Sequence, residues 1–139
     1  MPGIKAMLDT NVVVSAHLKQ GGREALILDL ALSQRFTLIA SAALFAEYEA
    51  VLRRPRFSLD PGKIRRSMRA IRAKAVLVEP QEQLHVTHDP DDNKVLECAV
   101  EGGTEYVVTG NRRHFPGRFQ NVRIIAPRHF LVILAAKLE

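Results

Sequence analysis

A chain of 139 residues, of which 47% are hydrophobic, can form one compact domain with a substantial core but leaves little room for two, so we expect a single domain over residues 1–139. The formal net charge of +5 favours an anionic partner such as nucleic acid, although a small basic protein can carry such a charge for solubility alone. With Cys98 as the only cysteine and no apolar stretch approaching the roughly 18 residues of a membrane span, we expect a cytoplasmic protein without disulfides or membrane association.

Short apolar runs alternate with longer helical patterns along the chain, which is typical of strand–helix units around a parallel sheet. In chain order, we predict a strand over residues 4–9, helices over 12–18 and 23–33, a strand over 36–41, a helix that begins after Ser41 and ends before Pro55, a helix over 61–75, a strand over 75–79, a helix capped by Asp89, strands over 105–111 and 122–127, and a helix over 127–137. This order predicts an α/β sandwich.

Four polar residues from distant parts of the chain are predicted to lie at the carboxyl ends of these strands, where ligands bind in such sheets. They are Asp9 at the end of the first strand, Glu47 in the helix after the second, Asp92 in the helix after the third and Asn111 at the end of the fourth. Carboxylates brought together without basic partners repel one another, so such a cluster implies a bound cation. Oxygen ligands favour Mg²⁺ or Mn²⁺, and a substrate phosphate can fill the remaining positions. The pattern therefore indicates phosphodiester chemistry.

Simpler explanations exist for three of the four residues. Asp9 precedes a helix and could act only as its N-cap. Glu47 and Glu49 flank the apolar stripe of their helix almost symmetrically, so periodicity does not choose between them. Asn111 could be a turn residue, because asparagine tolerates left-handed conformations.

The acids of DPDDN, residues 89–93, are predicted to differ by position. Asp89 is expected to cap the helix and Asp91 to face solvent. Asp92 precedes Val95 by three residues, so it heads the face that packs on the sheet. An unpaired carboxylate in that position is costly, and a cation at the strand ends would relieve the cost.

Four motifs, in order across nearly the whole chain, together resemble a bacterial PIN domain. They are LDTNVVVSA at residues 8–16, SAALFAEYEAVLRRPRF at 41–57, DPDDNKVLECAVEGGTEYVVTGNRRHFP at 89–116 and APRHFL at 126–131. They are most similar to the branch that contains VapC-type toxins of toxin–antitoxin systems. The resemblance implies a three-layer α/β/α sandwich with a central parallel sheet of four to five strands. It also implies Mg²⁺- or Mn²⁺-dependent ribonuclease activity on RNA, homodimers, and an antitoxin that blocks the site.

Carried over residue by residue, the resemblance assigns the three metal-binding acids to Asp9, Glu47 and Asp92. The fourth acidic position of the family falls on Asn111, whose amide oxygen can bind a metal or a water but brings no charge. A second metal is therefore expected to be held less well. Asn11 is expected to hydrogen-bond around Asp9, and Thr109 to position a ligand acid or water.

RNA binding is expected to fall to cations, since phosphate contacts supply affinity rather than sequence choice. The middle of the chain is rich in such residues, which could equally form a solvated helix face: Arg53, Arg54, Arg56, Lys63, Arg65, Arg66, Arg69, Arg72 and Lys74. Arg112 and Arg113, directly after Asn111, are the better candidates for substrate contact, with Arg118 close by.

Two other functions are compatible with the sequence. One is a PIN-like module that binds RNA or protein with weak or no nuclease activity, which the amide at position 111 would allow. The other is a phosphotransfer enzyme or receiver-type domain, which also starts from an aspartate at a strand end. The second is less favoured because Thr10 and Asn11 follow Asp9 in place of a further acid.

Overall fold

The computed structural model describes residues 3–138, so Met1, Pro2 and Glu139 of the predicted domain lie outside the described residues. The strands are β1 (Lys5–Leu8), β2 (Thr37–Ala40), β3 (Val76–Leu77), β4 (Tyr106–Val108), β5 (Arg118–Phe119) and β6 (Val122–Ile125). The helices are α1 (Thr10–Leu18), α2 (Arg23–Leu32), α3 (Ala42–Leu52), α4 (Pro61–Lys74), α5 (Pro90–Glu101) and α6 (Pro127–Leu138). Short 3₁₀ helices cover Pro55–Phe57 and Arg112–His114.

The strands form one mostly parallel sheet in the order β3-β2-β1-β4-β6-β5, with helices flanking it as predicted for an α/β/α sandwich. The chain builds outward from β1 to β2 and β3, then returns to add β4 on the other side of β1. The carboxyl ends of β1 and β4 are therefore neighbours, with Leu8 paired to Val108. A sheet of this kind opens a ligand-binding crevice where the strand order reverses, which here is between β1 and β4.

The sheet contains one strand that the sequence did not predict. β5 pairs antiparallel with β6 through a tight turn at Gln120, so the sheet has six strands and is not wholly parallel. The pattern missed β5 because Arg118 and Phe119 stand outside any apolar run, whereas the equally short β3 lies within the apolar run that predicted a strand over 75–79. The strand predicted over 105–111 also ends early, at Val108. Beyond it, the amide of Gly110 donates to the side chain of Asn11 (3.0 Å) and turns the chain into the crevice.

Helix starts follow the capping residues that the sequence supplies. Ser41 accepts a hydrogen bond from the Leu44 amide at the start of α3, and Asp89 accepts one from the Asp91 amide at the start of α5. The first helix begins at Thr10 rather than at residue 12, because Asp9 itself is its N-cap. These caps set the positions of the acids near the strand ends.

The core is continuous from the sheet into the helices. α5 packs against β1, β2 and β4, whereas α1 to α4 pack mainly on one another and α6 packs on α2. Cys98 is fully buried in this core, as expected of a small apolar residue. Within residues 3–138, none of the helices combines the length and the apolar character needed to cross a bilayer.

Candidate active site

Asp9 lies directly after β1 and is held by three donors. Its Oδ1 accepts from the Thr10 amide (2.9 Å), and its Oδ2 accepts from the Thr109 hydroxyl (2.7 Å) and the Asn11 amide group (3.0 Å). The residue is only 7% exposed. Burial raises the pKa of Asp9, and the three hydrogen bonds oppose that rise because they favour the charged form.

Thr109 and Asn11 join the ends of β1 and β4 around this carboxylate. The Thr109 hydroxyl is fully buried, and besides donating to Asp9 it accepts from the Asn111 amide (3.0 Å) and from Asn11 Nδ2 (3.3 Å). Asn11 Oδ1 in turn accepts from the amide of Gly110. The network fixes the carboxylate of Asp9 against the neighbouring strand, so Asp9 is more than a helix cap.

Glu47 lines the same cleft, and the structure resolves its ambiguity with Glu49. Glu47 accepts a hydrogen bond from the hydroxyl of Thr10, the residue after Asp9. Tyr48, its fully buried neighbour, donates its hydroxyl to the carbonyl of Leu8 and ties α3 to the end of β1. Glu49 instead forms an ion pair with Arg53 (3.1 Å) one turn along the helix. The tertiary fold thus brings Glu47, and not Glu49, to Asp9.

Asp89, Asp91 and Asp92 divide as the sequence predicts. Asp89 caps α5, and Asp91 is exposed and lies 3.7 Å from Lys94. The side chain of Asp92 is only 14% exposed. Partial burial, together with the like charges of Asp89 and Asp9, raises the pKa of Asp92 to about 6. An acid in this position is costly to ionise without a cation.

Asn93 anchors the loop that leads into these acids. It is buried, and its Oδ1 accepts from the amides of Val86 (3.1 Å) and Thr87 (2.8 Å) and from the Thr87 hydroxyl (3.0 Å). Its Nδ2 donates to the carbonyl of Thr87 (3.2 Å). Sequence reasoning missed this role, although an asparagine inside a helical turn so close to acids was a signal, because a polar residue on an inward face needs partners.

The segment after β4 brings Asn111 and His114 to the cleft. Asn111 has a φ of −118°, so a left-handed turn does not explain it. Nδ1 of His114 lies 3.7 Å from Asp92 Oδ2, a contact that the sequence did not predict although His114 follows Asn111 by one 3₁₀ turn. Arg112 and Arg113 are exposed and do not line the cleft, so their contact with substrate stays a prediction.

All four predicted site residues line one open cleft of about 550 Å³. Its wall also includes residues that sequence reasoning did not single out for this place: Thr10, Val14, Ser15, Leu18, Val51, Arg54, Arg56, Phe57, Asp89, Asp91 and His114. Thr10, Val14, Ser15 and Leu18 lie on α1, which follows Asp9 directly, whereas Arg54, Arg56 and Phe57 lie in the turn after α3. The packing of α3 against α1 brings this turn beside Asp9.

The donor chemistry of this cleft suits a hard divalent cation, but the acids do not close into a cage. Asp9, Glu47 and Asp92 offer carboxylate oxygens, and the described residues give none of them a lysine or arginine partner. Within residues 3–138, no group of three or more His, Cys, Asp or Glu side chains is close enough to hold a metal ion. Mg²⁺ is commonly held by one or two carboxylates, with waters and substrate phosphate completing its shell. The arrangement fits that mode of binding.

Comparison with known proteins gives a family and one relative. A family profile described as a PIN domain matches residues 5–113, which include Asp9, Glu47, Asp92 and Asn111. The chain is also similar to the uncharacterized protein MJ1680 of Methanocaldococcus jannaschii, with 28% identity over 112 residues that cover 78% of this chain and 72% of that protein.

Proposed function

This chain belongs to the PIN domain family, whose members are generally nucleases, and from that premise we propose that it is a metal-dependent endoribonuclease. It would hydrolyse RNA phosphodiester bonds with Mg²⁺ or Mn²⁺. The observation that carries the proposal is the buried carboxylate of Asp9, held by three donors at the point where the strand order reverses. A buried acid with no basic partner, sharing a cleft with two more acids, is arranged to hold a cation.

Asp9 and Asp92 would hold the metal, with Glu47 bound directly or through water. The metal, when bound, supplies positive charge to a phosphate oxygen and lowers the pKa of a water nucleophile. A carboxylate has about four acceptor sites, and the three donors to Asp9 leave about one free for a ligand. The hydrogen bond from the Thr10 hydroxyl likewise occupies one acceptor site of the Glu47 carboxylate and restrains that side chain.

The substrate would be contacted by Asn111, Arg112 and Arg113. The exposed amide of Asn111 can accept or donate a hydrogen bond at the cleft but adds no charge, so a second cation would be held weakly. Arg112 and Arg113 are exposed and without an ion-pair partner among the described residues, so they are free to contact phosphates.

The biological role that we propose is that of a toxin in a toxin–antitoxin pair. The chain would act in the cytoplasm as a homodimer, and an antitoxin protein would block the cleft. This part of the proposal rests on the resemblance of the four motifs to VapC-type toxins. A small open reading frame directly upstream of the gene would support it.

Cleavage of a mixed pool of unpaired RNAs tests the proposal. We expect the EDTA-treated protein to be inactive and to recover activity with Mg²⁺ or Mn²⁺, and we expect Asp9→Asn to be inactive under all conditions. Asp29→Asn, a change of the same kind on the remote helix α2, is the matched control and should keep activity. If wild type and Asp9→Asn both bind RNA and are equally inert, the chain is an RNA-binding module and the nuclease proposal is wrong.

A further inference from the structure

One part of the cleft wall is basic rather than acidic. The turn between α3 and α4, residues 54–57, which we call the arginine turn, contributes Arg54, Arg56 and Phe57 to the cleft that holds Asp9 and Asp92. Arg54 and Arg56 are exposed and Phe57 is half-buried. The cleft therefore presents acids at the strand ends and guanidinium groups on the adjoining turn.

The two arginines have no acidic partner within residues 3–138. The salt bridges there join Arg53 to Glu49 and Lys94 to Asp91, and His114 lies 3.7 Å from Asp92. Arg53, the immediate neighbour of Arg54, is thus neutralised within its own helix and does not line the cleft. Arg54 and Arg56 are unneutralised charges facing a site that would bind an anionic substrate.

The arginine turn is preorganised. Pro55 begins its 3₁₀ helix, and the Phe57 amide donates to the carbonyl of Arg54 (3.1 Å). The guanidinium carbon of Arg56 lies 4.8 Å from the centre of the Phe57 ring. The guanidinium group thus lies over one face of the ring, and the pair forms a guanidinium–aromatic shelf. Val51 extends the apolar surface of the wall beside it.

We propose that the arginine turn is the subsite for the nucleotides that flank the scissile phosphate. Arg54 and Arg56 take the neighbouring phosphates, and a base stacks on the shelf formed by Arg56 and Phe57. The inference rests on the proposed function, since it places the scissile phosphate at Asp9. It assigns to these residues the positioning of the strand, a role that the sequence favoured for Arg112 and Arg113.

The chemistry of the turn matches a nucleic-acid strand better than an acidic polypeptide. A strand alternates charged phosphates with flat, uncharged bases, and the turn combines two guanidinium groups with one aromatic ring. An acidic polypeptide offers charge without the planar groups, so it would leave Phe57 and Val51 uncovered. A base that is paired in a duplex cannot reach the ring, so the shelf selects unpaired nucleotides.

Binding in EDTA separates this inference from the nuclease proposal. The probes are a short fluorescein-labelled oligouridylate and a blunt RNA duplex of equal length, measured by anisotropy over a range of salt. We expect Arg54→Gln and Arg56→Gln each to weaken oligouridylate binding by about threefold to tenfold and to lower the salt slope by about one. Arg53→Gln removes the same charge one residue away and should change binding by less than about twofold.

Phe57 is tested by the preference for unpaired over paired RNA. Phe57→Leu should weaken oligouridylate binding by about tenfold and leave duplex binding unchanged, whereas Phe57→Trp should restore the preference. Thermal melting of each variant shows whether it folds. If Phe57→Leu does not fold, the binding preference of Phe57→Trp alone decides the test.

The inference is overturned if Arg54→Gln and Arg56→Gln bind like Arg53→Gln, or if Phe57→Trp loses the preference while folded. It is also overturned if polyglutamate binds with the same dependence on Arg54 and Arg56 while oligouridylate shows none, which would make the turn a protein-docking site. A protein that needs the turn for binding but never cleaves RNA contradicts the nuclease proposal alone. One that cleaves without needing the turn contradicts this inference alone.

Discussion

Two carboxylates of the same cleft are held in opposite ways. Asp9 is 7% exposed and receives three hydrogen bonds from Thr10, Asn11 and Thr109. Asp92 receives none from the residues that the structure describes, and it faces the like charges of Asp9 and Asp89. The three hydrogen bonds offset part of the cost of charging Asp9, although burial still raises its pKa. Asp92 has no such donors among the described residues, although His114 lies 3.7 Å from it, so the two acids should respond differently to substitution, pH and added metal.

Asp92→Asn should give the largest effect, and it should lower activity while raising stability at neutral pH. We expect RNA cleavage to fall by about a hundredfold or more, because a metal-binding acid is lost. The pKa of Asp92 is raised to about 6, so the folded state binds this proton more tightly than the unfolded chain does. Its contribution to stability is present at low pH and is lost as the pH rises from about 4 to 6.

At pH 7 without metal, Asp92→Asn should therefore be more stable than wild type, on the order of 1 kcal/mol. Urea unfolding at pH 4 and pH 7 measures this difference. Added Mg²⁺ should raise the melting temperature of wild type more than that of the variant. If the free energy of unfolding depended on pH equally in wild type and in Asp92→Asn, the proposed rise in the pKa of Asp92 would be wrong.

Thr109→Val tests the compensation around Asp9. The change keeps the shape of the side chain but removes the hydroxyl that donates to Asp9 and accepts from the Asn111 amide. We expect cleavage to fall by about tenfold to a hundredfold and stability by about 1–3 kcal/mol, because a buried carboxylate loses a donor. Thr109→Ser keeps the hydroxyl and should recover most of the activity. If Val and Ser behave alike, the hydroxyl does not orient Asp9.

Asn93→Ala tests the loop that leads to Asp92. The amides of Val86 and Thr87 lose their acceptor, whereas the Thr87 hydroxyl keeps the carbonyl of Asp89 (2.9 Å). We therefore expect stability to fall by about 1–2 kcal/mol and cleavage by several-fold. Asn93→Asp keeps the acceptor oxygen and should hold the loop better than Ala does. Hydrogen exchange at the amides of residues 86 and 87 measures the order of the loop directly. Unchanged protection of these amides in Asn93→Ala would show that Asn93 does not anchor the loop.

Asp91→Asn should give the smallest effect, although it changes the neighbour of Asp92 in the same way. Asp91 is exposed and its contact with Lys94 is a surface pair between exposed side chains. We expect less than a twofold change in cleavage and less than about 0.5 kcal/mol in stability. A loss comparable with that of Asp92→Asn would remove the distinction between these two acids.

Much of this architecture was predictable because its signals are local. The apolar runs gave the parallel strands, and capping residues such as Ser41 and Asp89 gave the helix starts. The spacing of Asp92 from Val95 separated it from Asp91. These signals act over one or two turns of chain, where periodicity and capping are reliable. β5 escaped because its two residues carry no such signal.

The sequence by itself determined which acids end strands or head helices, and which chain segments carry cations. Only the tertiary structure decided which of them meet. It brought Glu47, which periodicity alone could not separate from Glu49, into the cleft, brought His114 to Asp92, and placed Arg54 and Arg56 in the cleft instead of Arg112 and Arg113. The physical reason is that two side chains on one helix can be equivalent by period, whereas the packing of α3 on α1 and the order of β1 beside β4 are properties of the whole chain.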